Sequence, residues 1–157
     1  MECLVFVSAD TQSCNIGISN FTTTLIEEAV GQSTAPLATN QVEFHPYISQ
    51  QPVLDKLAEH GMALTAYCPL AQGRVFSEPT LERIGKAHGK NGGQVALRWL
   101  VQHGDVVVIP RSSKKEHVTN NFDIFDFELT EEEMREVEAL HSEDGRIINP
   151  SFAPDWD

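Results

Sequence analysis

Short apolar runs alternate with longer amphipathic stretches along the 157 residues of the chain. The apolar runs occupy residues 15–19, 38–43, 62–67 and 106–109. After the first run, Leu25, Ile26, Ala29 and Val30 fall on one face of a helix, and comparable spacing follows the other runs. The pattern therefore predicts four strands with helices between them.

Polar and turn-forming residues mark where several of these helices begin. Thr24 and Glu27 have the spacing of a capping box at the first helix, and Thr130 and Glu133 have it at the last. Pro79 stands where a first-turn proline belongs, because the missing N–H of proline costs nothing there. These signals predict helices that begin close to residues 24, 79 and 130.

Alternation of strands and helices is typical of an α/β fold with parallel strands and crossover helices. The strands are mostly apolar rather than alternating, which favours a sheet that is covered on both faces. The pattern leaves open whether the sheet is open or closed into a barrel. Residues 1–13 show no periodicity, so we expect an atypical N-terminal segment before one domain over residues 14–157.

The net charge of −12 is concentrated near the C-terminus. Twelve acidic and two basic residues lie from Asp123 onward, so −10 of the −12 falls in the last thirty-five residues. A solvated helix face explains this clustering more simply than an acidic partner-binding tail. Nucleic acid is not an expected partner, since neutralising phosphates requires a basic surface.

Cysteines and histidines give no sign of a metal site. The three cysteines are far apart and form no CxxC pair, and no two histidines have helical i, i+4 spacing. The apolar start, Cys3–Val7, is too short to cross a membrane and follows Glu2 rather than a positive segment. We therefore expect no membrane partner and a reducing, cytoplasmic location.

The ends of the four apolar runs resemble motifs of the aldo-keto reductase family. The motifs are Asn15–Phe21, Asn40–Tyr47, Ala66–Ala71 and Val108–Ser112, in the family's order. The closing Ala153–Asp157 resembles the tails of short bacterial members, particularly the 2,5-didehydrogluconate reductases. The resemblance implies a (β/α)8 TIM barrel with its chemistry at the C-terminal rim. Because such barrels take about 250 residues, it implies that this chain holds the C-terminal half, strands five to eight with their helices.

The resemblance also implies that NADP(H) binds at the strand ends. In the family, the positions of Ser19, Asn20 and Gln41 hydrogen-bond the nicotinamide carboxamide, and the ring at the position of Tyr67 stacks on the nicotinamide. Without the family, Asn20 is equally a turn residue, Ser19 a helix cap, and Tyr67 a core residue with its hydroxyl at the rim. The positions that match the pyrophosphate contacts are Leu70 and Gln72.

A basic corner follows the fourth strand. A strand end followed by a short helix, expected around Lys114–Asn120, offers a phosphate backbone N–H groups and a helix dipole, and Arg111 adds a planar donor fork. In the family this corner binds the 2′-phosphate that selects NADP over NAD. His117 stands where many members have arginine, so its contact would depend on pH. The matching residues are Arg111, Ser112, His117, Asn120 and Asn121, of which Asn121 could equally end the helix.

The family mechanism transfers a hydride from the nicotinamide to a carbonyl while a tyrosine acts as general acid. A lysine, an aspartate and a histidine assist. All four lie on strands of the first half of the barrel, so we expect this chain to carry no catalytic residue and to be inactive alone. His45 and Tyr47 match positions that are structural in the family, and Tyr67 should turn its ring face toward the cofactor.

Two functions fit these residues. The first is a truncated NADP(H)-dependent reductase of keto-sugars or other small carbonyl compounds. The second is a non-catalytic half-barrel module that binds NADP or a partner. Because a half barrel exposes two unpaired strand edges, it could self-associate with cyclic symmetry or pair with a complementary half-barrel. The sequence does not identify the carbonyl substrate.

Overall fold

The computed structural model describes residues 15–151 and 153–157, and the segment expected to be atypical, residues 1–13, lies outside them. The strands are β1 Ile16–Ser19, β2 Leu37–Glu43, β3 Ala63–Tyr67 and β4 Val106–Val108. The helices are α1 Thr23–Gln32, α2 Gln51–Glu59, α3 Pro79–His88, α4 Gly92–Val101, α5 Lys115–Phe122 and α6 Glu131–Glu138, and a kinked 3-10 segment occupies Ala71–Ser77. Each strand lies within one residue of its predicted range at either end.

The four strands form one parallel sheet in the order β1-β2-β3-β4. Sequential strands are neighbours, so each connection crosses back through a helix to the next position in the sheet. Ser19 pairs with Gln41 at the ends of the first two strands, and Glu43 pairs with Tyr67 at the ends of the next two. The prediction of parallel strands is confirmed, and this register gathers the carboxyl ends at one edge.

The two faces of the sheet differ in burial. Side chains such as Val42 and Leu64 point toward the helices and are 2% and 0% exposed. The opposite face carries Thr39 and Thr65, whose hydroxyls lie 2.7 Å apart, and Val107, which is 52% exposed. The expectation of a sheet covered on both faces is therefore not met within the described residues, which cover only the helix-facing side fully.

The predicted capping box at the first helix is wrong. α1 begins at Thr23, and the hydroxyl of Thr22 accepts the N–H of Leu25 at 3.5 Å. Thr24 is thus already inside the first turn. Glu27 does not bond the start of its own helix. It accepts a hydrogen bond from Lys56 of α2 at 2.8 Å and so links the two helices.

The other helix signals are confirmed. The Thr130 hydroxyl accepts the N–H of Glu133 at 3.2 Å, and the Glu133 carboxylate accepts the N–H of Thr130 at 2.8 Å. Pro79 is the first residue of α3.

Behind the sheet, the ring of Phe44 meets Trp99 edge-on with centroids 5.2 Å apart. No helix in the described part of the chain is long and apolar enough to cross a membrane.

Candidate cofactor-binding site

A cleft of about 660 Å³ opens between the segment that follows β3, the start of α4, and the stretch that runs from the end of β4 into α5. Its walls come from three separate stretches of the chain, because the parallel register brings the ends of β3 and β4 side by side. The cleft contains seven of the eleven residues predicted to bind the cofactor, namely Leu70, Gln72, Arg111, Ser112, His117, Asn120 and Asn121.

The basic end of the cleft is built by the connection from β4 to α5. Ser112 accepts the N–H of Lys114 at 3.2 Å and so fixes the turn that leads into the helix. No side chain caps α5, so the N–H groups of its first turn remain available to a ligand. Arg111 is exposed and forms no ion pair with any described residue. The donors suit a phosphate, although the carboxylate of Glu116 lines the same cleft.

Helix α5 extends as far as Phe122. Asn121 therefore lies inside the helix, and the alternative that it ends the helix is wrong. Asn120 and Asn121 are both partly buried and line the cleft beside Gln94 of α4. Their amide groups can both donate and accept hydrogen bonds, which suits the edge of a purine base.

The four remaining predicted residues meet at the ends of β1, β2 and β3. The Ser19 hydroxyl and the Asn20 N–H both donate to the Gln41 carbonyl, at 3.0 and 2.9 Å. The Tyr67 hydroxyl donates to the side-chain oxygen of Asn20 at 3.1 Å. These four residues do not line the cleft, but Cys68 and Pro69, which follow Tyr67, do. The residues predicted to bind the nicotinamide therefore lie next to the cleft that contains the residues predicted to bind the phosphates and adenine.

The sequence left alternative structural roles open for Asn20, Ser19 and Tyr67, and the structure gives a different answer for each. Asn20 has φ 58°, so it is a turn residue in the left-handed region as well as a strand-end amide. Ser19 does not cap α1, because Thr22 does. Burial raises the pKa of the Tyr67 hydroxyl above its ordinary value, and the nearby Glu43 carboxylate raises it further. This hydroxyl is therefore a weaker acid than a free phenol.

The chain after β3 is held in an unusual conformation. Cys68, Ala71 and Gln72 have φ values of 51°, 45° and 53°, in a region that side chains other than glycine rarely adopt. Ala71 is fully buried, so packing holds the strained turn in place. Leu70 and Gln72 of this segment line the cleft, and backbone strain of this kind is often found at binding sites.

The sequence analysis missed part of the cleft wall. Phe76 lines it while remaining 55% exposed, and its ring lies over Gly93. A Cβ on Gly93 would lie 2.5 Å from that ring, so a larger residue at this position would force the ring of Phe76 to move. The adjacent glycines at the start of α4 were the available signal, but spacing gives no hint of a ring packed across them. The other unpredicted wall residues are Cys68, Pro69, Gly73, Asn91, Gln94, Ile109, Pro110 and Glu116.

A buried carboxylate lies beside the strand-end group. Glu43 is fully buried, and the ring Nε2–H of His45 donates to it at 2.9 Å. The Nδ1 atom of His45 accepts the N–H of Tyr47, which fixes this tautomer. Burial by itself would raise the pKa of Glu43, but the hydrogen bonds from His45 and from the N–H groups of Ile147 and Ile148 outweigh it and lower the pKa. His45 and Tyr47 are buried packing residues in this structure.

The C-terminal tail is attached to the same region. Arg146 lies 3.9 Å from Glu43, and its guanidinium stacks 3.9 Å above the ring centre of Trp156. The Asp157 carboxylate accepts the N–H of Thr23 at 2.8 Å, at the positive end of α1. The tail therefore runs past the strand ends and places Trp156 near them.

One group of potential metal ligands occurs among the described residues, on the far side of α1 and α2. Glu27, Glu59 and His60 each place a ligand atom within 4.8 Å of the others. The ammonium of Lys56 already donates to Glu27 at 2.8 Å and to Glu59 at 2.6 Å. A lysine thus supplies the positive charge in this cluster.

Comparison with known proteins agrees with this geometry. The sequence profile of the aldo/keto reductase family matches residues 14–142. The chain belongs to this family. Among curated aldo-keto reductases, glyoxal reductase of Bacillus subtilis (strain 168) is 41% identical over 135 residues, which cover 86% of this chain and 49% of that protein. An aldo-keto reductase of Mycobacterium avium (strain 104) is 38% identical over 136 residues, 87% of this chain and 47% of that protein.

Solved aldo-keto reductase structures show the same arrangement of strands and helices. A protein provisionally assigned as 2,5-diketo-D-gluconic acid reductase B superposes with a TM-score of 0.89 at 52% identity, over 91% of this chain and 51% of that one. A variant of Gox0644 in complex with NADPH superposes with a TM-score of 0.79 at 30% identity, over 85% and 49%. The chain thus has the strands and helices of a TIM-barrel family, and it spans about half the length of the relatives it matches.

Proposed function

We propose that this chain is the cofactor-binding, C-terminal half of an NADP(H)-dependent aldo-keto reductase barrel that acts on keto-sugars or similar small carbonyl compounds. The observation that carries the proposal is the cleft beside the uncapped α5, in which Arg111, Ser112 and His117 surround a site suited to a phosphate. A relative with 30% identity binds NADPH, and a relative with 52% identity is provisionally assigned to 2,5-diketogluconate reduction.

Each part of NADP(H) has residues of matching chemistry along the cleft and the strand ends. Arg111 and the first turn of α5 would hold the 2′-phosphate, and the partly buried Asn120 and Asn121 would border the adenine. The strained turn around Gln72 would lie along the pyrophosphate. The Gln41 side chain and the amide nitrogen of Asn20 would face the carboxamide, since the oxygen of Asn20 is already bonded to Tyr67. When bound, the nicotinamide supplies the hydride.

We further propose that this half does not reduce carbonyls alone. The described residues contain no tyrosine hydroxyl paired with a lysine. Tyr67 donates to Asn20, and its neighbouring charges are Glu43 and Arg146. A raised pKa makes Tyr67 a poor proton donor, and Tyr47, whose pKa burial also raises, packs under Arg74. In this proposal, the general acid comes from the other half of the barrel.

Nucleotide fragments test the binding site directly. Titration calorimetry with 2′,5′-ADP and with 5′-AMP compares ligands that differ by the 2′-phosphate alone. We expect 2′,5′-ADP to bind at least tenfold more tightly, because charge-assisted hydrogen bonds contribute about 1.5–3 kcal/mol. Equal affinities would contradict the assignment of the α5 corner. As a control, Lys86→Ala removes an exposed cation of α3, outside the cleft, and should change neither affinity.

A chimaera separates the truncated reductase from a non-catalytic module. The N-terminal half of Bacillus subtilis glyoxal reductase, joined before residue 14 of this chain, would supply the missing strands. Gain of glyoxal-dependent NADPH oxidation would show that this chain can hold the cofactor in a catalytically active barrel. A folded chimaera that binds NADPH but has no activity would favour the non-catalytic module.

A further inference from the structure

The side-chain amide of Gln94 joins the start of α4 to the end of α5. Gln94 is 6% exposed, and its Oε1 atom accepts the backbone N–H of Asn91 at 3.0 Å. Its Nε2 atom donates to the carbonyl oxygen of Asp123 at 2.9 Å and to the Asp123 carboxylate at 3.1 Å. A backbone N–H can only donate and a carbonyl oxygen can only accept, so this position needs an acceptor at one end and a donor at the other, as an amide provides.

The end of α5 is tied to α4 through Asp123. This residue is the C-terminal cap of α5, and its N–H donates to the Thr119 carbonyl at 3.1 Å. The ammonium of Lys90 lies 2.9 Å from the Asp123 carboxylate. Within the described residues, the side-chain hydrogen bonds of α5 itself stay inside the helix, as from Thr119 to the Lys115 carbonyl at 3.2 Å. Gln94 and Lys90 therefore connect the last turn of α5 to the start of α4.

The same last turn carries the two asparagines that border the cleft. Asn120 and Asn121 are partly buried and come directly before Asp123 in the final turn of the helix. Asn91 and Gln94 line the cleft beside them. Any shift of the end of α5 against α4 would therefore move both asparagine amides relative to the rest of the cleft.

We propose that Gln94 is a positioning residue for the adenine end of the cofactor site. Through Asp123 it sets the separation of α4 and α5, and so presents the amides of Asn120 and Asn121 to the base. It acts through these residues, because its own oxygen and nitrogen are already bonded to protein groups. Groups that bind a ligand need to be held to within about 0.5 Å of their working geometry. The inference rests on the proposed function of the cleft.

Gln94→Glu tests the inference with two nucleotide fragments. The change keeps an acceptor for Asn91 but puts a carboxylate oxygen where the donor to Asp123 was. Titration calorimetry should show 2′,5′-ADP and 5′-AMP weakened by the same factor, on the order of tenfold, since both carry adenine and a lost hydrogen bond has about this effect. The ratio of the two affinities should remain that of the wild type, because Ser112 fixes the entry to α5 separately.

Gln102 provides a matched control on the same helix. Its Oε1 atom accepts the N–H of Leu129 at 2.9 Å, and its Nε2 atom donates to the Leu129 carbonyl at 2.8 Å, outside the cleft. Gln102→Glu removes a comparable donor from a comparable link. It should lower the midpoint of urea denaturation without changing the affinity for either fragment.

An exchange of roles separates positioning from a general loss of structure. With Asp123→Asn added to Gln94→Glu, the new amide can donate to the new carboxylate, so the pair forms again in reverse and most of the lost affinity should return. Asp123→Asn alone should have little effect, since Gln94 still has the backbone carbonyl and an amide oxygen as acceptors. Should Gln94→Glu lose its circular dichroism signal, Gln94→Met removes the donor without adding charge.

The possible failures distinguish this inference from the proposed function. Unchanged affinities in the Gln94 variant, an equal loss in Gln102→Glu, a loss confined to 2′,5′-ADP, or no recovery in the double variant would overturn the role of Gln94 and leave the proposed function standing. Binding of neither fragment by the wild type would overturn both.

Discussion

The carboxylate of Glu43, at the end of β2, accepts the backbone N–H of Ile147 at 2.7 Å, although the two residues are 104 positions apart. The N–H of Ile148 donates to the same carboxylate at 2.9 Å. A buried carboxylate is costly unless its oxygens are bonded, and here a histidine and the tail satisfy them. Glu43 therefore joins the central sheet to the segment that carries Arg146 and Trp156.

Replacing this carboxylate should destabilise the protein and release the tail. Glu43→Gln retains the size of the side chain but removes the charge that three donors share. We expect the free energy of unfolding to fall by about 1.5–3 kcal/mol, the value of hydrogen bonds to a charged group. Urea denaturation would measure the loss, and hydrogen exchange at Ile147 and Ile148 should accelerate. Glu59→Gln, at an exposed position of α2, is the matched control. Unchanged exchange at both amides would contradict the role of Glu43 in holding the tail.

The same carboxylate predicts a pH dependence of stability. In the folded state, the hydrogen bonds that the Glu43 carboxylate accepts outweigh its burial and hold its pKa below the ordinary value for a glutamate. Its contribution is therefore present above the unfolded pKa and is lost as the pH falls through the folded pKa. Below about pH 4.5, the wild type and Glu43→Gln should converge in stability, whereas near neutrality they should differ most. A difference between them that stays constant from pH 7 to pH 3 would show that the charge is not what Ile147 and Ile148 recognise.

Arg111 should determine the choice between the two cofactors. Arg111→Ala should weaken NADPH on the order of ten- to a hundredfold, since it removes charge-assisted contacts worth about 1.5–3 kcal/mol. NADH should be nearly unaffected, because it has no 2′-phosphate. Fluorescence titration with both nucleotides measures this, with Lys86→Ala as a cation-removal control. Equal weakening of both nucleotides would instead assign Arg111 a structural role.

The chain alone should not oxidise NADPH in the presence of glyoxal-type or keto-sugar substrates. General acid–base assistance contributes roughly 10²–10⁴-fold in rate, and the only tyrosine at the strand ends donates to Asn20 instead of facing a lysine. Steady-state absorbance at 340 nm with purified protein measures this activity. Turnover that Tyr67→Phe abolishes would identify Tyr67 as the proton donor and refute the proposal.

Two threonines at helix starts should differ in their contribution to stability. Thr130 is the N-cap of α6 and shares a reciprocal capping box with Glu133, so Thr130→Ala should cost about 1 kcal/mol. Thr24 lies exposed within the first turn of α1 and caps nothing, so Thr24→Ala should change stability by less than about 0.5 kcal/mol. Thermal denaturation of both variants compares them, and a larger loss for Thr24→Ala would contradict the observed cap at Thr22.

The sequence by itself determined the elements and much of the cleft. Apolar runs and helical spacing are local properties, so they located all four strands to within one residue and predicted their parallel order. Resemblance to a family placed Arg111 and His117 at one site because strand ends in a parallel barrel share a rim. Local signals failed where a competing acceptor lay nearby in the sequence. The hydroxyl of Thr22, two positions before Thr24, accepts the N–H of Leu25 and caps α1.

Only the tertiary structure decided which distant groups meet. Nothing in the spacing of Glu43 and Ile147 indicates a bond, because the tail reaches the strand end through folding rather than through sequence proximity. Likewise, Phe76 lies over Gly93 only because the 3-10 segment packs against the start of α4. The covering of one sheet face, with Thr39 and Thr65 on the other, also depends on how strands and helices assemble. Periodicity reports the preference of a segment for a buried side, whereas the partner on that side is set by the rest of the chain.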